Sequence, residues 1–348
     1  MSNRITMARI ASEAGVSKNT VSLALRGDRQ VTTATRERIE KIADELGYRR
    51  NPLMSHLMAV LRQQSPVSYR CNLALVNAHR DQQAFTSHHT VPAYVDGCTR
   101  RAKTRGYRFD EFWVHDQALN GARLDRIMRT RGIRGLIING LFHDQQLPEN
   151  YRAIWDQYPA VVTGVRTTDP ALPFACVDHH EAIFDAMENV RRLGYRRPGL
   201  VLLERVDNLV NGRLSAAFKV SQASMDADDV VPVFTFGGDD IPRLATFRKW
   251  MEDHQPDVIL TLHPNVRDWL GAMDLKSPED GGLVALELHR DCADWAGMDQ
   301  HNDIAGEAAV DMVTTLMQTN EFGSNVAPRG TLIGATWVEG STVRPQTA

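Results

Sequence analysis

The sequence predicts a small all-α helix-turn-helix head joined to a larger α/β body of two similar lobes built on parallel sheets. Three observations carry this expectation. The first 62 residues hold short segments of helical period punctuated by glycine, serine and threonine, whereas from Cys71 onward apolar strand-like runs alternate with helical stretches. The charge is also split: residues 1–62 carry 11 Lys and Arg against 6 Asp and Glu, and the rest 29 against 37, so a segment of +5 precedes one of −8. A chain of 348 residues exceeds what one core organises, which agrees with the division.

In the head, Met7, Ile10, Ala11 and Ala14 recur at helical spacing, with Thr6 placed to cap the first turn. Gly15 supplies a residue for a left-handed turn, Val16 can enter the core and Ser17 can cap the next helix. That second helix, from Lys18 to about Leu25, turns Val21, Ala24 and Leu25 inward and leaves Lys18, Asn19, Ser22 and Arg26 outside. These outer types suit DNA: asparagine pairs bidentately with an adenine edge, lysine reaches guanine or phosphate, and the hydroxyls of Thr20 and Ser22 bond phosphate oxygens. A third helix opens at Val31-Thr32, with Ile39, Ile42, Ala43 and Leu46 on one face and Gly47 as its stop. Spacing alone also allows a three-helix bundle whose polar face is merely wet. Residues 51–62 begin with Asn51 as a cap and Pro52 at the first helical position, so a further short helix is expected, and Gln63 to Ser68 form a boundary loop.

In the body, strand-like runs N-L-A-L-V-N, F-D-E-F-W-V, G-L-I-I-N-G and A-V-V-T-G-V alternate with helical stretches at 92–106, 122–131 and 149–157. A second series interleaves helices at 180–193, 211–224, 241–253 and 264–273 with P-G-L-V-L-L, V-P-V-F-T-F, D-V-I-L-T-L and G-L-V-A-L-E. Ligands of such sheets bind at the carboxyl ends of strands, so the cleft between lobes is the expected pocket. Asn77, Arg166 and Asp178 follow strands and are candidates to face it. Trp269 and Trp295 could stack on a sugar ring but equally belong to a core.

Other classes find little support. The polar start has no apolar run of signal-peptide length, and no stretch approaches the roughly 20 apolar residues that span a bilayer, so a cytoplasmic protein without a membrane partner is expected. Cys71, Cys98, Cys176 and Cys292 lack paired spacings and read as reduced structural thiols. His88-His89 and His179-His180 suggest a metal only superficially, since adjacent side chains diverge and no carboxylate or cysteine stands at ligand spacing. No nucleophile elbow, phosphate loop, dinucleotide fingerprint or zinc-protease motif occurs, so neither catalysis nor a cofactor is expected.

The run I-A-S-E-A-G-V-S-K-N-T-V-S-L-A-L-R-G, then V-T-T-A-T-R-E-R-I, then L-G-Y, resembles the headpiece of the LacI/GalR family almost position by position. A looser likeness continues through A-Y-V-D-G-C-T-R-R-A-K-T-R-G-Y, L-G-Y-R-R-P-G-L-V and G-E-A-A-V-D-M-V-T-T-L. The resemblance implies a DNA-binding domain at 1–50, a hinge helix and linker at 51–68, and a periplasmic-binding-protein-like effector and dimerisation domain at 69–348. It further implies a dimeric regulator, a tetramer being possible, whose Lys18 and Asn19 read base edges of operator DNA. Leu57 would wedge the central minor groove. The helix-start residues Thr6, Ser17, Thr32, Thr35 and Asn51, together with Thr20, Ser22 and Arg26, complete the DNA-facing set. In the body, Arg213 matches a family arginine that grips ligand hydroxyls, and Glu287 stands where relatives often have aspartate. The chain departs from the pattern at Leu23, where arginine is usual, at Gly164, where aspartate is frequent, and at Leu262-His263, where an Asn-Asp pair is usual. The expected function is a transcription regulator, a repressor by preference, controlled by a small carbohydrate-like effector. The alternative is a sugar-binding protein with no DNA role.

Overall fold

A computed structural model describes residues 7–25, 31–46, 69–237, 244–322 and 327–344. The head comprises α1 (Met7–Ala14), α2 (Lys18–Ala24) and α3 (Thr33–Glu45), each touching the other two. Its core is the one the helical spacing marks, with Ile10, Ala11, Ala14, Val21, Ala24, Val31, Ile39 and Ala43 all buried. Gly15 makes the turn at φ +65°, and the Val16 amide closes it by donating to the Ala11 carbonyl at 3.0 Å. The Arg38 guanidinium reaches back from α3 to the Ala14 carbonyl at 3.0 Å, satisfying an acceptor that the end of α1 leaves open. The expected hinge helix, with Asn51 and Leu57, lies outside the described residues, as do Thr6 and Arg26.

The body has two lobes, each organised by a six-stranded sheet. The first contains β1 (Cys71–Asn77), α4 (Ala84–Ser87), α5 (Val91–Arg105), β2 (Tyr107–Trp113), α6 (Gly121–Arg131), β3 (Leu136–Asn139), α7 (Arg152–Gln157), β4 (Ala160–Thr163) and β5 (Phe174–Val177). The second contains α8 (His179–Arg192), β6 (Pro198–Leu203), α9 (Glu204–Leu209), α10 (Arg213–Ser221), β7 (Phe234–Phe236), α11 (Leu244–His254), β8 (Val258–Thr261), α12 (Val266–Gly271), β9 (Gly282–Ala285) and β10 (Ala296–Asp299). The chain then returns to the first lobe for α13 (Asn302–Thr319) and β11 (Gly330–Ile333), and crosses again to the second for β12 (Thr336–Val338). Sheet orders are β11-β5-β4-β3-β1-β2 and β12-β10-β9-β8-β6-β7. The pairs are parallel, except that β12 runs antiparallel against β10. Helices cover both faces, which is why β3, β4, β5, β8 and β9 are buried along their whole length and read as unbroken apolar runs. This is the two-lobed periplasmic-binding-protein-like architecture expected behind a helix-turn-helix head.

Some expectations shift. The helix expected at 211–224 is α10, ending at Ser221, and a separate α9 precedes it, because Asn211 at φ +56° and Gly212 at φ +69° take left-handed conformations between the two. The short strands β5, β10, β11 and β12 carry no sequence signal of their own: each has four residues or fewer, and β11 and β12 find their partners β5 and β10 far away in sequence. α13 packs on α5 at two glycines: a Cβ on Gly97 would meet the Asp303 carbonyl oxygen at 1.8 Å, and one on Gly306 would meet that of Tyr94 at 2.3 Å. This contact holds the start of α13 against the lobe boundary.

Candidate functional site

The head presents α2 as a short helix whose start is fixed by side chains. The Ser17 hydroxyl accepts from the Thr20 amide at 3.0 Å and lies 2.8 Å from the Thr20 hydroxyl. Thr32 and Thr35 repeat the device on α3, with hydroxyls 2.9 Å apart. The threonines assigned to DNA therefore also organise the starts of α2 and α3. Lys18 is exposed at the first position of α2. Asn19 and Ser22 lie on the same helix, but their side chains fall outside the description. Leu23, where the family resemblance leads one to expect arginine, is partly buried against the head core.

The body offers a cleft where the carboxyl ends of the strands from both lobes meet. Arg213 is the first residue of α10, near enough to Cys176 to hydrogen-bond its thiol and to act on His179, the two groups on which Asp178 acts as well. Arg166 approaches the same thiol from the first lobe, its guanidinium 4.9 Å above the Phe174 ring. Burial outweighs both arginines and pushes the Cys176 thiol up to about 11, so it stays protonated. Asp178 caps α8, accepting from the Glu181 amide at 3.3 Å. Three of the five expected effector residues thus converge.

Glu287 stands on the opposite side, after β9, where it accepts from the Asn302 side-chain amide at 2.9 Å. Burial raises its carboxyl to about 7, against the pull of the Asn302 hydrogen bond and of the nearby Thr90 hydroxyl. Burial raises the Tyr94 hydroxyl, and the nearby Glu287 and Cys176 raise it further. Gly164, the site of a frequent aspartate, faces the Tyr94 hydroxyl, which would lie 3.5 Å from a Cβ placed there. Asn77 serves differently from expectation: its amide donates to the Asp81 and Gln82 carbonyls at 3.3 and 3.1 Å and its oxygen accepts from the His79 amide at 2.9 Å, so it braces the loop after β1.

Several cleft residues carried no sequence signal of their own. Asn139, at the end of β3, and Asn302 are nine-tenths buried, and the Nδ2 of one and the Oδ1 of the other have no hydrogen-bond partner among the described residues. Between the loop after β3 and α9 lies a cavity of about 410 Å³, lined by His143, Asp144 and Gln145 from one lobe and Glu204, Arg205 and Asn208 from the other. That volume falls within the range of small-molecule sites. His263, in place of a usual Asp, accepts from the Leu203 amide at 3.1 Å. The two candidate stacking rings are core instead: Trp295 and Trp269 are buried in the second lobe, the latter 5.4 Å from both Phe236 and Phe247. Among the described residues no three His, Cys, Asp or Glu side chains are grouped to hold a metal, and no helix is long and apolar enough to cross a membrane.

Comparison with known proteins places this geometry. Residues 6–51 match the family model described as bacterial regulatory proteins, lacI family. The transcriptional regulator PtxS of Pseudomonas plecoglossicida is 27% identical over 203 residues, 56% of this chain and 52% of PtxS. MalR of Streptococcus pneumoniae is 24% identical over 193 residues, 56% of this chain and 55% of MalR. The match therefore spans about half the length of these curated relatives. Among solved structures, a complex of the transcriptional regulator CelR with cellobiose aligns at TM-score 0.59 and 18% identity, covering 97% of this chain and all of that one (100%). The lac repressor dimer bound to operator and an anti-inducer aligns at 0.56 and 18%, covering 98% and 100%. At these identities the solved structures speak for the fold.

Proposed function

We propose that this chain, a member of the lacI family of bacterial regulatory proteins, is a dimeric, sequence-specific DNA-binding transcription regulator whose operator affinity is set by a small polar effector held between its lobes. The observation that carries the DNA half is the match over residues 6–51 falling on a folded helix-turn-helix, with Ser17 capping an α2 that exposes Lys18. In this reading Lys18 and Asn19 read base edges, the excess positive charge of residues 1–62 binds phosphates, and Leu57 in the hinge segment wedges the operator centre.

The effector half rests on the convergence of Arg213, Arg166 and Asp178 on one side of the cleft and Glu287 with Asn302 on the other. Guanidinium donors, a carboxyl that titrates near neutrality and unpaired amide groups suit a ligand rich in hydroxyl and carbonyl oxygens, which favours a carbohydrate or its derivative. The likeness to a cellobiose-bound regulator supports the same class. Because the ligand contacts both lobes, binding selects one lobe arrangement, and the hinge segments would carry that choice to the heads. Repression is the favoured output.

The test is selection of bound sequences from random double-stranded DNA by the purified chain, followed by affinity against salt. A roughly palindromic site with a steep salt slope is expected. Recovery of no preferred sequence, together with saturable sugar binding, would favour the rival of a sugar-binding protein without a DNA role.

A further inference from the structure

Six histidines gather where the lobes meet. His143 lies 5.8 Å from His79, His79 lies 5.3 Å from His88, and His88 stacks on His89 at 4.2 Å, all on loops of the first lobe. His89 then meets His289 of the second lobe at 4.8 Å, and His263 lies close enough to His89 to feel its charge. The same seam carries direct bonds between the lobes. Arg290 donates to the Ser87 carbonyl at 2.9 Å, and the Gln145 amide donates to the Leu209 carbonyl at 2.8 Å.

One nitrogen in each of four rings is already committed as an acceptor. The amides of Asp81, Thr90 and Asp291 donate to Nδ1 of His79, His88 and His289 at 2.9, 3.1 and 3.2 Å, and that of Leu203 to Nε2 of His263 at 3.1 Å. A protonated ring has no lone pair for these amides, so protonation breaks the bond as well as placing like charges side by side. The charged groups facing the seam are Arg80, Arg205 and Arg290 against Asp81, Asp144, Glu204 and Asp291, with Glu287 beyond Thr90. One anion in excess does not offset several imidazolium ions.

We propose that this seam is an acid-sensitive latch: neutral imidazoles hold the lobes together, and their protonation drives the lobes apart, so that the cleft captures its effector near neutral pH and releases it in acid. The release step rests on the reading of the cleft as an effector site. Desolvation between the cleft walls, with neighbouring rings adding to it, holds His88, His89 and His263 at about 4, below the ordinary 6.5. Bases with lowered values favour the closed arrangement above about pH 6.5 and lose that contribution as pH falls toward 4. Glu287, raised to about 7, works the other way, favouring closure below about 4.5 and losing that contribution as pH rises through 7. Between these limits opening gains protons at His88, His89 and His263 and loses one at Glu287, a net uptake of about two, or about a hundred-fold in the open-to-closed ratio per pH unit at the steepest.

The experiment uses the full chain without effector or DNA, with Cys71→Ser and a dye pair on Lys103→Cys in α5 and Glu252→Cys in α11. Energy transfer between the dyes is followed from about pH 7 to about pH 5, with circular dichroism reporting that the fold persists. The open-to-closed ratio should climb as the pH falls, by about a hundred-fold per pH unit at the steepest, climb less steeply in His89→Gln, and lose its climb in His88→Gln/His89→Gln/His263→Gln. A ratio that stays constant, or a slope unchanged in the triple variant, overturns the latch. Failure to select an operator would instead remove the DNA reading and leave this result standing. Acid opening with sugar affinity unchanged between the two pH limits would overturn the release step alone.

Discussion

Replacing Gly306 by alanine should separate two helices that the fold needs in contact. Its Cβ would stand 2.3 Å from the Tyr94 carbonyl oxygen, 3.0 Å from the Cys98 amide nitrogen and 3.1 Å from the Tyr94 carbonyl carbon. All three atoms are backbone, so no rotamer relieves the clash. Restoring ordinary contact requires α5 and α13 to part by about 1 Å, a gap that forfeits a quarter to a half of each dispersion contact across it. Overpacking of this kind costs about 1–3 kcal/mol, and with backbone on both sides the upper figure applies. Alanine's better helix propensity returns about 1 kcal/mol, leaving a net loss of about 2 kcal/mol. The ion pairs of Arg100 with Asp303 and Glu307, both at 2.7 Å, are exposed and change this little. Urea titration followed by circular dichroism measures the loss, with Gly271→Ala as the internal control. Gly271 ends α12 with no atom within 4 Å of its Cβ, so alanine there should stabilise by up to about 1 kcal/mol. If both substitutions moved stability in the same direction, the close approach of α5 and α13 would not be the reason for glycine at 306.

Three further outcomes follow from the same chemistry. Ser17→Ala removes the acceptor for the Thr20 amide and should destabilise the head by about 1 kcal/mol, read as weaker binding to all DNA sequences alike, and unchanged non-specific affinity would refute it. Asn19→Ala should relax base preference at one operator position by about 1–3 kcal/mol with the salt slope nearly unchanged, whereas an equal loss on every sequence would remove its base-reading role. Arg213→Ala should abolish the effect of ligand on operator binding while leaving ligand-free DNA affinity intact, and a surviving response would move the pocket elsewhere in the cleft.

The head was legible because everything that builds it is local. Helical spacing marks Ile10, Ala11, Ala14, Val21, Ala24, Ile39 and Ala43, and a glycine and two hydroxyl caps punctuate it within 40 residues or so of one another, so short-range rules identify both the core and the helices around it. The body's class followed from its alternating runs, and the ends of β6 and of the long α5 and α6 fell within a residue or so of expectation. Arg213, Arg166 and Asp178 could be named from their places after strands or from the family pattern, but nothing in sequence said that they meet around Cys176. Thr90, Glu287 and Asn302 are about 200 residues apart at the extremes, and His89 and His289 are similarly distant. Their meeting depends on the chain crossing between lobes after β5, β10 and β11, on parallel register that brings strand ends to one rim, and on two glycines that let α13 settle onto α5. Periodicity reports what a segment buries and which face it turns inward. Which distant segments share a rim is decided by long-range packing, and the cleft with its histidine seam exists only at that level.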